Sequence, residues 1–410
     1  MTRILAYTSP ARGHLYPLTA ILLELQRRGH DVSVRTLAAE VPMLRAQGLH
    51  ADAVDRRVEA VSLQDWRKRG AQQALKASVA TFVERAQFDG PDLEAAITQH
   101  EPDAVIVDIN SWGALAAAEK WGGPWAAFCP YPLPLPSADV PPFGPGLRPG
   151  RSVVTRTRDA VLRPVITGTL ERRMLPGMND ARARAGLPPL KHLTEQFLAP
   201  PLLVYLTAEP FEYPRSDWPE SVVMVGPCPW EPPADVPDWL GQVTDPLVVV
   251  TTSSEFQDDG RLVQAALDAV AEQPLQVVAT VPAGDPGSFS VPNNARVVSF
   301  AAHGPLFRQA AVVVTHGGMG ATQKALANGV PVVAVPFGRD QLEVARRVEV
   351  AGAGVRLPSR RLSAARLESA VREAMSMREG AQRVAAGYRS AGGPRAAADA
   401  VEARLVSART

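Results

Sequence analysis

The segment Val312–Gly329, VVVTHGGMGATQKALANG, decides how this chain is read. Three valines and Thr315 run into His316, Gly317, Gly318, Met319 and Gly320, and Ala321 to Asn328 then reads as helix. A strand that only has to turn needs one glycine. The crowding at 316–320 implies that something comes close to the backbone where the helix starts. A helix N-terminus has unpaired N–H groups and a partial positive charge, so it receives anions. Glycines remove the Cβ atoms that would block the approach, and His316 can add a side-chain hydrogen bond. The set suits a diphosphate and requires no metal. Taken alone, a glycine-rich cap beside an ordinary core histidine accounts for the same residues equally well.

Outward from this segment the same layout recurs. RILAYTS near the start reads as a buried strand and PARGHLYP as a loop; Leu18, Ile21, Leu22 and Leu25 then mark a helix face that Gly29 closes, and HDVSVRT follows as a strand. This is a β-loop-α-β unit of a parallel sheet. DAVIVD (Asp103–Asp108) and PWAAFC continue it. In the second half PLVVVTT, LQVVATV, ARVVSF, AAVVVT and VPVVAVP are short apolar strands separated by helical segments, among them Arg261–Glu272 and Gln341–Val350. The expected architecture is α/β: two doubly wound, Rossmann-like parallel-sheet domains facing across a cleft. Residues 1–226 form the first, 227–237 a proline-rich linker, 238–390 the second, and 391–410 a C-terminal helix returning to the first. Tyr131–Arg151, rich in proline and glycine, reads as an irregular loop over the first domain.

Composition narrows the function. The 410 residues are 46% hydrophobic and 21% charged, enough for large cores, with 43 basic against 42 acidic residues. That balance gives no reason to expect nucleic acid or an anionic membrane as partner. No apolar run approaches the ~20 residues of a spanning helix. The start MTRILAYTSP is not a signal peptide, and Cys129 and Cys228 match no disulfide or metal spacing, so a reduced, cytoplasmic setting is expected. D-x-D, G-x-x-x-x-G-K-[ST], H-E-x-x-H and G-x-S-x-G are all absent, and the glycine turn does not complete G-x-G-x-x-G.

Ligands of open parallel sheets sit outside the carboxyl ends of the strands. Four chemistry-bearing spots fall there: His14, Asp108, Thr251–Ser254 and His316–Gly320. Histidine is the natural base for deprotonating an alcohol near neutral pH. Asp108 ends an apolar strand and needs a partner; paired with His14 it would fix the tautomer and stabilise the imidazolium. A loop-packing His14 and an Asp108 that caps the next helix are the plainer alternatives.

THGGMGATQKALANGVPVVAVPFGRDQ, with ARGHLYPL, VIVDINS and VVVTTSSEFQDD in the same order along the chain, resembles the family 1 glycosyltransferases of GT-B fold, in particular bacterial enzymes that decorate macrolides, enediynes and aromatic polyketides. The resemblance implies an inverting transfer from a nucleotide-diphosphate sugar to a hydrophobic natural-product acceptor, with no metal and no cofactor. It assigns His14 as base and Asp108 as its support. On the donor side it places the diphosphate at His316, Gly318, Met319 and Gly320, with Ser253 and Ser254 closing from the facing loop. Phe300, Ala301 and His303 would form the base platform, Phe300 standing where relatives commonly have Trp, and Asp340 and Gln341 would reach the sugar hydroxyls; a helix N-terminus capped by Asp340 with a solvated Gln341 is the plainer alternative. Many relatives hold both ribose hydroxyls with a Glu where this chain has Lys324. A lysine cannot accept a hydrogen bond, so the donor leans toward a dTDP-deoxysugar, with a UDP-sugar as the other choice; a solvated residue on the helix surface is the plainer reading of Lys324. Trp66, Phe82, Trp112, Tyr131 and Phe143 are candidates for the acceptor wall; for each, ordinary core is the alternative. A homodimer is compatible with the sequence. Two other classes of function stay open: a catalytically silent nucleotide-sugar-binding accessory protein, and a sugar-nucleotide epimerase on the same fold.

Overall fold

The structure is a computed structural model and describes residues 1–68 and 70–407. Seven strands build the first sheet: β1 (Arg3–Tyr7), β2 (Asp31–Thr36), β3 (His50–Ala53), β4 (Ala104–Asp108), β5 (Trp125–Cys129), β6 (Leu202–Tyr205) and β7 (Val222–Met224). They run parallel in the order β3-β2-β1-β4-β5-β6-β7. Six build the second: β8 (Leu247–Thr251), β9 (Gln276–Thr280), β10 (Ala295–Val298), β11 (Ala310–Thr315), β12 (Val332–Ala334) and β13 (Gly354–Arg356), parallel in the order β10-β9-β8-β11-β12-β13.

Helices cover both faces of each sheet, and this is why the central strands read as unbroken apolar runs: β4 and β8 are buried along their whole length. Separate apolar clusters lie on the two faces of each sheet. In both sheets the strand order reverses once, between β1 and β4 and between β8 and β11. At such a reversal the following helices leave on opposite faces and open a crevice at the strands' carboxyl ends.

Two segments tie the halves together. Residues 227–237 carry no helix or strand. The helix Pro394–Val401 returns to the first domain, where Val401 and Leu405 join the apolar cluster of the Arg12–Arg27 helix. Arg28 pairs with Asp399 at 2.6 Å and Glu402 at 2.7 Å, and His30 Nε2 lies 2.9 Å from Glu402. Between Cys129 and Val153 the chain is irregular, as its composition predicts. Among the described residues, no helix is long and apolar enough to cross a membrane.

Candidate active site

The reversal of the first sheet holds His14 and Asp108. Asp108 is the last residue of β4 and fully buried. Its two oxygens both lie 2.9 Å from His14 Nδ1. They also accept the Ser9 amide (3.0 Å), the Ser9 hydroxyl and the Asn110 amide (2.9 Å). Every group around the carboxylate is a donor, so the charged form is favoured. Burial alone would raise the Asp108 pKa, but His14 and these hydrogen bonds hold it below the usual carboxylate range. The matching statement holds for His14: burial pulls its pKa down, the Asp108 charge and hydrogen bond push it up, Glu255 and Asp340 add to the push, and the net shift is upward. Part of the imidazole stays open to solvent, with 16% of the side chain exposed.

His14 was expected in a loop. The structure puts it in the first turn of the Arg12–Arg27 helix, which begins before the apolar periodicity does. Gly13 and Pro17 disguise that start in the sequence, yet a proline near a helix N-terminus loses little.

The reversal of the second sheet holds the glycine turn. Gly317 has φ +88°, a conformation open to glycine, and a Cβ on Gly318 would overlap the His316 imidazole. The helix begins at Met319, two residues earlier than its pattern suggests. Gly320 is exposed in its first turn and faces open space. Burial lowers the His316 pKa and outweighs nearby Asp259, so the ring is held neutral. On the facing loop Ser253 is buried: its N–H donates to Asp259 (2.8 Å) and its hydroxyl accepts from Gln257 (2.7 Å). Ser254 is exposed.

Gln341 departs from its expected role. Its Oε1 accepts the amides of Phe337 (2.8 Å) and Gly338 (3.1 Å), and its Nε2 donates to Gln257 (2.7 Å). It fastens the turn before its own helix, and only a change of partner would free it for a sugar. Asp340 stands at the N-terminus of that helix without capping it through its side chain. Burial raises its pKa, while Arg339 and His14 oppose the rise. His14 of one domain and Asp340 of the other therefore share one cleft.

Phe300 is 54% exposed, as a stacking platform requires, whereas Ala301 is buried. His303 is half-buried, with Nε2 3.0 Å from Thr280 and its ring stacked on Phe307. Burial, then Lys324, pushes its pKa down to about 4. Lys324 is no free helix-surface residue: its Nζ lies 2.9 Å from Glu231, whose carboxylate also accepts the His303 (3.0 Å) and Gly304 (2.8 Å) amides.

The acceptor candidates divide. Trp112 is 3% exposed in the first-domain core, with Phe82 packed on it at 5.4 Å between centroids. Trp112 is a core residue and Phe82 is half-buried against it, because the helix that starts at Trp112 lies under the long Ala71–His100 helix. Tyr131 has its ring 5.8 Å from His14 and its hydroxyl 2.9 Å from Asn110. Trp66 crosses the cleft to meet Phe256 edge-on at 4.8 Å. Next to it Asp65 binds Arg339 twice, at 2.7 and 2.9 Å, and Glu255 takes the same guanidinium at 3.0 Å. Phe143 lines a small cavity with Pro134, Pro142 and Ile166. Ser9, Asn110, Gln257, Asp65 and Arg339 were missed from sequence. Ser9 and Asn110 flank the strand ends and were findable by that rule; the others sit in loops with no periodic signal.

Two Rossmann-like domains with one histidine-bearing crevice each, opposed across a cleft, define the GT-B architecture. Residues 264–403 match the family described as erythromycin biosynthesis protein CIII-like, C-terminal domain. The chain is 34% identical to 4'-demethylrebeccamycin synthase of Lentzea aerocolonigenes over 90% of its own length and 91% of that protein's. The glycosyltransferase of kitacinnamycin superposes with a TM-score of 0.72 at 23% identity, over 98% of this chain and 99% of the other. SsfS6 of Streptomyces sp. SF2575, solved with thymidine diphosphate, has a TM-score of 0.68 at 20% identity and full coverage of both chains. The chain belongs to the natural-product glycosyltransferases of GT-B fold.

Proposed function

We propose that the protein moves a sugar from a nucleoside diphosphate to a hydroxyl of a hydrophobic natural-product acceptor, in one displacement that inverts the anomeric centre. Residues 1–226 receive the acceptor and residues 238–390 the donor, joined by 227–237, and the described part of 391–410, through residue 407, braces the first domain. The observation that carries this reading is the His14–Asp108 pair at one sheet reversal, opposed to the glycine-rich helix start at the other. Asp108 takes the Nδ1 proton of His14 as a hydrogen bond, which leaves Nε2 to remove the acceptor proton. The acceptor oxygen forms its bond to the anomeric carbon as the carbon–phosphate oxygen bond breaks, and the electron pair leaves with the nucleoside diphosphate. The helix start at Met319 and the His316 ring offset the growing charge, a role that needs no metal. Gly320 supports a ligand there: glycine in a helix costs about 1 kcal/mol relative to alanine, and neither its backbone nor its neighbours require it.

A dTDP-sugar is the favoured donor. Lys324 has no lone pair and is already engaged by Glu231, so it cannot accept from a ribose hydroxyl. Thymidine diphosphate presents one hydroxyl fewer than UDP, and it is the nucleotide found with SsfS6. The test is His14→Ala: dTDP binding is retained while transfer to an aliphatic alcohol falls by roughly 10²–10⁴. Turnover within about threefold of wild type would discard the mechanism.

A further inference from the structure

The irregular segment 130–149 is anchored to the second domain through one buried chain of charges. At its tip, the Gly144 and Gly146 amides both donate to Glu343 Oε1 at 2.8 Å. Arg346 Nε donates to the Gly146 carbonyl at 2.8 Å. Gly146 has φ +60°, and a Cβ there would overlap the Leu342 carbonyl, so the tip lies directly on the helix backbone beside Gln341. The other Glu343 oxygen accepts from Arg347 at 3.0 Å, and Arg347 grips Glu212 with two bonds of 2.8 and 3.1 Å. Glu212 accepts the Tyr205 hydroxyl, which itself accepts the Leu133 amide at 3.0 Å. Arg215, 3.8 Å from Glu212, donates to the Leu135 carbonyl at 2.7 Å. The segment is thus held at its root and at its tip by one connected cluster, whose centre is Glu343, Arg347, Glu212 and Arg215.

These four carry two negative and two positive charges, and none has more than 5% of its side chain exposed. Desolvating such groups offsets most of their attraction, so an apolar cluster of equal volume would stabilise the fold about as well. What the charges add is direction, because each bond fixes an angle and a register. The directions here join two places. One is the helix Gln341–Val350, whose start carries Asp340 and Gln341. The other is the segment that opens with Tyr131, 5.8 Å from His14.

We infer that Glu343 is a positioning residue that couples the two substrate sites: a nucleotide bound at 316–320 and 337–341 orders the helix start, and Glu343 passes that order to residues 131–149. The bound donor thereby completes the acceptor wall. The inference rests on the donor site proposed above.

Amide hydrogen exchange of the full chain tests it, with dTDP as the probe. In wild type, saturating dTDP should slow exchange at 316–320 and, by about threefold or more, at 140–149. In Glu343→Ala and in Gly146→Ala, which attack the same contact from opposite sides, exchange at 140–149 should be fast and blind to dTDP. The dissociation constant for dTDP should stay within about threefold of wild type. Glu343→Gln keeps an oxygen for the two amides but sets its NH2 against Arg347, so it should recover only part of the response. A dTDP response at 140–149 that survives in both variants, or its absence in a wild type protected at 316–320, overturns the coupling alone. No protection at 316–320 in wild type overturns the donor site, and the coupling falls with it.

Discussion

Replacing Asp108 by asparagine separates the chemistry of the His14 pair from its packing, since the two side chains have nearly the same shape. The carboxylate accepts from Ser9 N–H, Ser9 hydroxyl, Asn110 N–H and His14 Nδ1, and has no donor to offer. An amide must turn its NH2 toward either the Ser9 or the Asn110 amide, which leaves donor facing donor. It also removes the charge that opposes burial in setting the His14 pKa. An opposite charge this close favours the protonated imidazole and raises its pKa. In wild type His14 titrates above 6.5, and it must be neutral to accept a proton, so transfer should fall as pH drops through that raised value. In Asp108→Asn the acid limb should move to lower pH, because Glu255 and Asp340 alone then oppose burial. The plateau should fall by roughly 10²–10⁴, the worth of an oriented general base. Stability runs the opposite way. The raised His14 pKa contributes stability that is complete below about 6.5 and is lost as pH rises through the folded value. The assay is a pH–rate profile of nucleoside diphosphate release with an alcohol acceptor, beside thermal melts at each pH. An acid limb that stays in place in Asp108→Asn, or a plateau within about threefold of wild type, would refute the pairing as the source of basicity.

At the proposed donor site His316→Ala should remove a hydrogen bond to an ionised phosphate, a contribution of about 1.5–3 kcal/mol; calorimetry should show dTDP bound roughly 10- to 150-fold more weakly, with the fold intact. Trp112→Ala opens a hole in the first-domain core and should cost about 3–5 kcal/mol in chemical denaturation, whereas Trp66→Ala, at the cleft, should leave stability nearly unchanged and raise the acceptor KM.

The architecture was legible because its signals are local. A parallel strand buried on both faces reads as a continuous apolar run, and the strand-end rule placed His14, Asp108, Ser253 and His316 at two crevices before any contact was known. What escaped the sequence is long-range pairing. Glu231 lies in a proline-rich linker, yet it meets Lys324 93 residues away and closes the N-terminus of the His303–Gln309 helix. Asp65 and Arg339 are 274 positions apart and share no pattern. Trp112 misled because an aromatic at a helix start looks the same whether it faces a cleft or a neighbouring helix; only the packing of Ala71–His100 distinguishes the two. Gln341 was read for its type, while its local geometry gives both of its oxygen's bonds to the turn before it.

The two cleft histidines show how one residue type serves two halves of the proposed reaction. His14 and His316 both stand at the carboxyl end of a sheet reversal, and both lose hydration there. At His14 a full carboxylate lies within 2.9 Å and overcomes that loss, so the ring is more basic than in water. At His316 the nearest carboxylate, Asp259, is 3.9 Å from Nδ1 and is shared with the Ser253 amide, so burial prevails and the ring stays neutral. The difference of an ångström sets the division of labour. A base must gain affinity for a proton as the acceptor approaches. A ring beside a dianionic leaving group must not bring a fixed positive charge that would hold the product, and a neutral donor strengthens as charge develops on the phosphate. Exchanging the two environments would impair both halves of the proposed displacement, because a His14 of lowered pKa would be a weaker base and a charged His316 would retain the nucleotide.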